Sequence, residues 1–157
     1  MAKKHRQRPS PGDLFLVPLS DGTWSLGQVI SLEFEALDSI LCGFSGQRRE
    51  GHEFPVLNST LLPADLISLI FVTPDQLANG NWRIVGRSVP PNIESLLDLS
   101  ALRRSGFLGV NIIGSANVEK FLNAFHCLFP WNGFYDPNYL DNLLIAPDKK
   151  PTNVLLK

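Results

Sequence analysis

Short apolar blocks separated by polar turns set the pattern of the first half of the chain. DLFLVPL (13–19) and WSLGQVISL (24–32) flank Ser20-Asp21-Gly22. Asp and Gly tolerate the positive φ of a tight hairpin turn, so the spacing predicts strands over 14–19 and 24–32. Pro18 lacks an amide donor and belongs near a strand end or on a sheet edge. Gly27, inside the second strand, marks a bulge or a close backbone approach. A third strand over 39–44 follows a connection that carries Glu33, Glu35 and Asp38. The stretch SGQRREGHE (45–53) is polar and holds two glycines, which predicts a surface loop, and 55–57 adds a short edge segment.

LISLIFVT (66–73) reads as a buried strand. Thr73-Pro74-Asp75 signals a short helix ended by Gly80, and 82–86 a further strand stopped by Pro90-Pro91. Residues 107–113 read as another strand. Ser115 then caps the strongest helical pattern, 116–129, where Val118, Phe121, Leu122, Phe125, Leu128 and Phe129 share a face and Pro130 ends the run. Asp136-Pro137 opens a last helix carrying Tyr139, Leu140, Leu143 and Leu144. Strands followed by helices predict an α+β fold: a strongly bent antiparallel sheet over 12–113, or a partial SH3-like barrel, with peripheral C-terminal helices. Residues 1–10 read as a disordered basic arm and 11–157 as a single domain.

Charge sharpens that division. The formal net charge is −1, but Lys3, Lys4, Arg6 and Arg8 all fall in the first eight residues. Beyond them stand ten basic and fifteen acidic residues, so the body carries −5. Such a body points either to a basic partner or simply to solubility. Cys42 and Cys127 are the only cysteines and form no CxxC. Residues 1–10 lack the apolar centre of a secretory signal, and the run 66–72 is too short for a bilayer. A cytoplasmic location with free thiols and no membrane segment is expected.

Candidate chemistry is sparse. The histidines are His5, His52 and His126. His126 and Cys127 are neighbours on the predicted helix and do not share a face, so they make no nucleophile–base pair. Glu33 and Glu35 alternate with Leu32 and Phe34, which predicts that both acids face water at a strand end. GxxxxGK[ST] is absent, and Gly106, Gly109 and Gly114 do not spell GxGxxG. No catalytic residue, metal or cofactor is predicted. The basic arm admits one alternative function, a small SH3-like module holding nucleic acid by its phosphates, against which the acidic body counts. Trp24, Trp82 and Trp131 sit beside turn residues, where a tryptophan either seals the end of a core or anchors a protein partner.

One resemblance bears on function. Gly12, Asp13, Phe15, Val17, Pro18, Leu19, Asp21, Gly22, Trp24, Gly27 and Val29 spell G-D-x-F-x-V-P-L-x-D-G-x-W-x-x-G-x-V. This resembles the start of the immunity protein 26 family of bacterial polymorphic toxin systems. The likeness continues in LISLIFVTPDQLANGNWRIVGR, where Gly80, Trp82 and Gly86 stand as in that family, and more loosely in VPP and YDPNYLDNLL. It covers most of 12–98; the 45–55 and 107–129 segments have no counterpart. The resemblance implies a non-catalytic antitoxin whose partner is a cognate toxin domain, often a nuclease. The motif residues themselves read as scaffold: glycines at turns and close approaches, Asp13 and Asp21 bonding turn amides, and Phe15, Val17 and Val29 in the core. A surface for a basic toxin then falls to Trp24, Glu33, Glu35 and Asp38, with Trp131, Asp136 and Asp141 as the other candidates.

Overall fold

The computed structural model describes residues 6–50 and 60–157. Its strands are β1 (Asp13–Pro18), β2 (Trp24–Glu33), β3 (Ser39–Arg49), β4 (Leu66–Val72), β5 (Arg83–Arg87) and β6 (Ile112–Ile113). Three short helices accompany them: α1 (Asp75–Asn79), α2 (Leu99–Arg104) and α3 (Ser115–Phe125). The strands form one sheet in the order β5-β1-β2-β3-β4-β6. The class is α+β, and the sheet is open, with β5 and β6 at its edges.

The expectation of a wholly antiparallel sheet needs correction. β1 to β5 pair antiparallel, but β6 lies parallel to β4 through Phe71↔Ile112 and Val72↔Ile113, so the sheet is mixed. The chain leaves β4, passes through β5 and α2, and returns along β4 in the same direction. Register shifts at Leu14/Phe15, Ser25/Gly27, Val29/Ser31 and Phe44/Ser45 break the ladders at four points. Bulges of this kind bend strands and increase their twist.

Both faces of the sheet are covered, which is why β1 and β4 are nearly continuous apolar runs. Phe15, Val17, Val29, Cys42 and Phe44 pack under Val118, Phe121 and Leu122 of α3, together with Trp82 and Trp131. Leu14, Leu16, Leu26, Leu41 and Phe71 meet Ile93 and Phe107 on the opposite side. Phe15 stacks on Trp82 at 5.7 Å between ring centroids and meets Phe44 edge-on at 5.9 Å. That stack explains Gly27, since a Cβ there would lie 2.6 Å from the Phe15 ring.

Several boundaries differ from the pattern-based expectation. β3 runs on to Arg49, so the first half of the expected 45–53 loop is strand: Ser45 is buried, residues 46–48 face water, and Arg48 and Arg49 pair with Ser25 and Trp24. The expected 107–113 strand contracts to Ile112–Ile113, and α2, capped by Asp98, occupies a stretch that carried no prediction. α3 begins after Gly114 rather than being capped by Ser115, whose hydroxyl instead donates to Asp75 at 2.7 Å. It ends at Phe125 rather than at 129. The Leu128 amide donates to Asn123 and the Cys127 amide to Ala124, around Cys127 at φ 63°. This is a Schellman turn with cysteine at the left-handed position. The expected 136–144 helix is a single 3-10 turn, Asp141–Leu143.

Of the expected arm, residues 1–5, with His5, lie outside the described residues. Residues 6–10 are placed against the domain. The Gln7 amide donates to Ala78 O at 2.9 Å, its side-chain nitrogen donates to Leu77 O and Trp82 O at 2.8 Å, and its Oε1 accepts from Ile84 N at 2.9 Å. His52 and the expected 55–57 edge segment also lie outside the described residues.

Candidate partner-binding surface

Local geometry first separates scaffold from surface. Asp21 accepts from the Thr23 hydroxyl at 2.6 Å and the Thr23 amide at 3.0 Å, which together with Arg48 hold its carboxyl below the usual range. Asp13 accepts from the Ser10 amide at 2.8 Å. Gly12 has φ +97°, and a Cβ on it would lie 2.6 Å from Ser88 O. Gly86 sits opposite Leu14 in the β1–β5 ladder, and Trp82 is buried with its indole N–H on Glu119 at 2.9 Å. Pro18 closes β1 opposite Trp24.

The residues grouped as one acidic surface do not all share it. Glu33 was expected to face water and is instead 6% exposed. Arg103 of α2 holds its carboxylate through Nη2 at 2.6 Å and Nε at 3.2 Å, and the Ser31 hydroxyl adds a third donor at 3.0 Å. The hydrogen bond to Glu33 in turn raises the Arg103 pKa. This pair ties the end of β2 to α2. Trp24 is half-buried against Leu26 and its neighbours and begins the strand that Glu33 ends, about 30 Å away at about 3.3 Å per residue. Trp24 therefore does not join the patch at the far end.

Trp131 was one choice for an exposed anchor and is 1% exposed. Its indole N–H donates to Asp141 at 2.9 Å, Lys150 pairs with the same carboxylate oxygen at 3.2 Å, and the Lys150 ammonium sits 5.6 Å from the indole centre. Trp131 and Asp141 thus seal one end of the core. Asp136 is exposed and bonds only its own turn, through Asn138 N at 2.9 Å. His126 caps α3 with Nε2 buried and without a hydrogen-bond partner among the described residues. Burial first, then Arg48, hold its pKa below the ordinary value, against Asp21. The Cys127 thiol donates to Asn153 O at 3.2 Å.

What remains together is the connection between β2 and β3. Ala36 N donates to Glu33 O, Asp38 N to Phe34 O and Ser39 N to Ala36 O, all within 3.0–3.1 Å. Leu37 and Asp38 close it with φ 53° and 57°. Two successive left-handed residues are the mark of a type I′ turn, where Asn-Gly is the usual choice. A leucine there costs about 1–2 kcal/mol of backbone strain. Ala36 is buried and pins the turn to the domain, while Phe34, Glu35, Leu37 and Asp38 all point outward. Phe34 is 75% and Leu37 84% exposed. Sequence reasoning found Glu35 and Asp38 but missed the two apolar side chains, because alternation placed Phe34 on the inward face. The Leu-Asp pair at the turn centre was the available signal.

Elsewhere a concavity of about 390 Å³ opens along β4 between Leu69, Leu97, Ile113, Tyr139 and Leu144, and no charged side chain lines it. Among the described residues no three His, Cys, Asp or Glu side chains converge as metal ligands, and no helix is long and apolar enough to cross a membrane. Comparison with protein-family models, curated proteins and solved structures found no match.

Proposed function

We propose that this chain is a non-catalytic immunity protein that binds and neutralises a cognate toxin domain of a bacterial polymorphic toxin system. One observation carries the reading. The two separate stretches that resemble the immunity protein 26 family fold into one unit, with β1 paired to β2 on one side and to β5 on the other. Within it the motif residues fit each other: Phe15 lies on Gly27, Trp82 stacks on Phe15, and Gly12 passes under Ser88. Residues that resemble a family motif in two places and interlock in space support one shared scaffold.

We read that scaffold as a partly opened SH3-like barrel, working in the cytoplasm where an intracellular toxin acts. The acidic body favours a basic target such as a nuclease, by steering and by occlusion. The nucleic-acid alternative has less behind it. Arg48, half of the one basic cluster in the strands, is already engaged by Asp21 and Thr23.

The direct experiment co-expresses this chain with the toxin domain encoded beside its gene. Survival of the host and co-purification of a stable complex are expected, with no retention of DNA or RNA in a gel shift at low salt. Toxicity that this chain does not relieve, or retention of nucleic acid by the purified protein, would overturn the reading.

A further inference from the structure

We infer that the β2–β3 tip is the part of this surface that enters the toxin, with Phe34 and Leu37 as paired anchors and Glu35 and Asp38 as the charges that guide them. The inference rests on the immunity reading, and it assigns the toxin face a stated chemistry: an apolar pocket rimmed by lysine and arginine.

Two observations point the same way. First, the tip holds two large apolar side chains in water on a connection five residues long whose other exposed side chains, Glu35 and Asp38, are acidic. Scattered exposed leucines need no explanation, but a phenylalanine beside a leucine on one turn forms a compact apolar knob, and aromatic side chains are enriched at interfaces. Among the described residues neither Glu35 nor Asp38 has an ion-pair partner, a state they share with Asp65, Glu94 and Asp136, whereas Glu33 just below them is held by Arg103. Unneutralised acids around an apolar knob fit a cationic rim around an apolar hole.

Second, the tip is held rigid against its own backbone preference. Leu37 occupies a left-handed position that glycine or asparagine would fill without strain. Ala36 is buried, and below the tip the Glu33–Arg103 pair fixes the strand end. A strained residue kept in place by its surroundings, with its side chain in solvent, fits a binding role better than a folding one. A rigid tip also has little conformational freedom to lose on binding.

The test uses the full chain and the toxin domain encoded beside its gene, with binding kinetics and melting temperature read on the same variants. Phe34→Ser and Leu37→Gly should each weaken the complex about thirtyfold or more, chiefly through faster dissociation. Leu37→Gly should at the same time melt at or above the wild-type temperature, because the turn strain is gone. The double variant Glu35→Lys, Asp38→Lys should slow association about tenfold at low salt and flatten its salt dependence. If the wild type binds the toxin and these variants bind equally well, the tip proposal fails and the immunity reading stands. If binding falls only in step with melting temperature, the tip is a folding element and the proposal also fails. If the wild type neither binds nor protects, the immunity reading fails and the tip assignment fails with it.

Discussion

At the residue scale, the Glu33–Arg103 pair shows how burial sets the consequence of losing either partner. The Glu33 side chain is 7% exposed and that of Arg103 51%. Removing Arg103 strips a buried carboxylate of its closest donor, Nη2, and of Nε, and leaves the Ser31 hydroxyl alone. Removing the charge of Glu33 leaves a guanidinium that water reaches readily. Arg103→Ala should therefore destabilise by about 1–3 kcal/mol, the usual cost of orphaning a buried acceptor. Glu33→Gln should cost no more than about 1 kcal/mol, because an amide keeps part of the geometry and Arg103 rehydrates. Urea denaturation checks the ordering: both variants should keep the wild-type slope, with the Arg103 midpoint clearly the lower. Equal midpoints would show that the carboxylate finds water in the folded state.

Elements were legible where local chemistry and tertiary packing agree, and illegible where they part. The β1–β2 hairpin follows from two apolar blocks flanking Ser20-Asp21-Gly22, and the packed partners of Phe15 and Gly27 reinforce it. The outer half of β3 reads as loop because its residues face water, and only pairing with Trp24 and Ser25 holds it extended. β6 owes its existence to two residues on the edge of β4, a long-range contact with no local trace. At the tip, the two acids were legible as charge, but the exposure of Phe34 depends on where β2 stops, which periodicity does not give. The end of α3 is the sharpest case. A Schellman turn is normally announced by glycine, and here Cys127 stands in the left-handed position, so Pro130 took the signal. Cys127→Gly should then relieve backbone strain and stabilise the domain by about 0.5–1 kcal/mol, net of the weak thiol bond to Asn153. A rise in melting temperature of about 2–4 °C would check it. A fall would mean that the thiol contact outweighs the backbone strain.

Across the whole molecule, residues 6–10 lie against the domain although they carry part of the charge of the expected arm. Read as sequence they belong to a basic arm, yet Gln7 is bound on all sides: its amide to Ala78, its side-chain nitrogen to Leu77 and Trp82, and its Oε1 to Ile84. Those partners lie on α1, at the buried Trp82 and on the edge strand β5, so one side chain joins three pieces of the family-like scaffold. Ser10 adds its amide to Asp13 at the start of β1. A chain begun at Pro11 loses these five hydrogen bonds, several beside the core, and three more that join Ser10 to Asp13 and Arg87. At about 0.5–1.5 kcal/mol each, and with part of the loss recovered by hydration, this amounts to about 2–4 kcal/mol. For a domain of this size that is a drop of about 5–10 °C. Gln7→Ala in the full chain removes the three side-chain bonds and should reproduce part of the drop without touching the basic residues, which separates the hydrogen bonds from the charge. If the Pro11 start melts like the full chain, the Gln7 bonds exchange freely with water and contribute nothing to the fold.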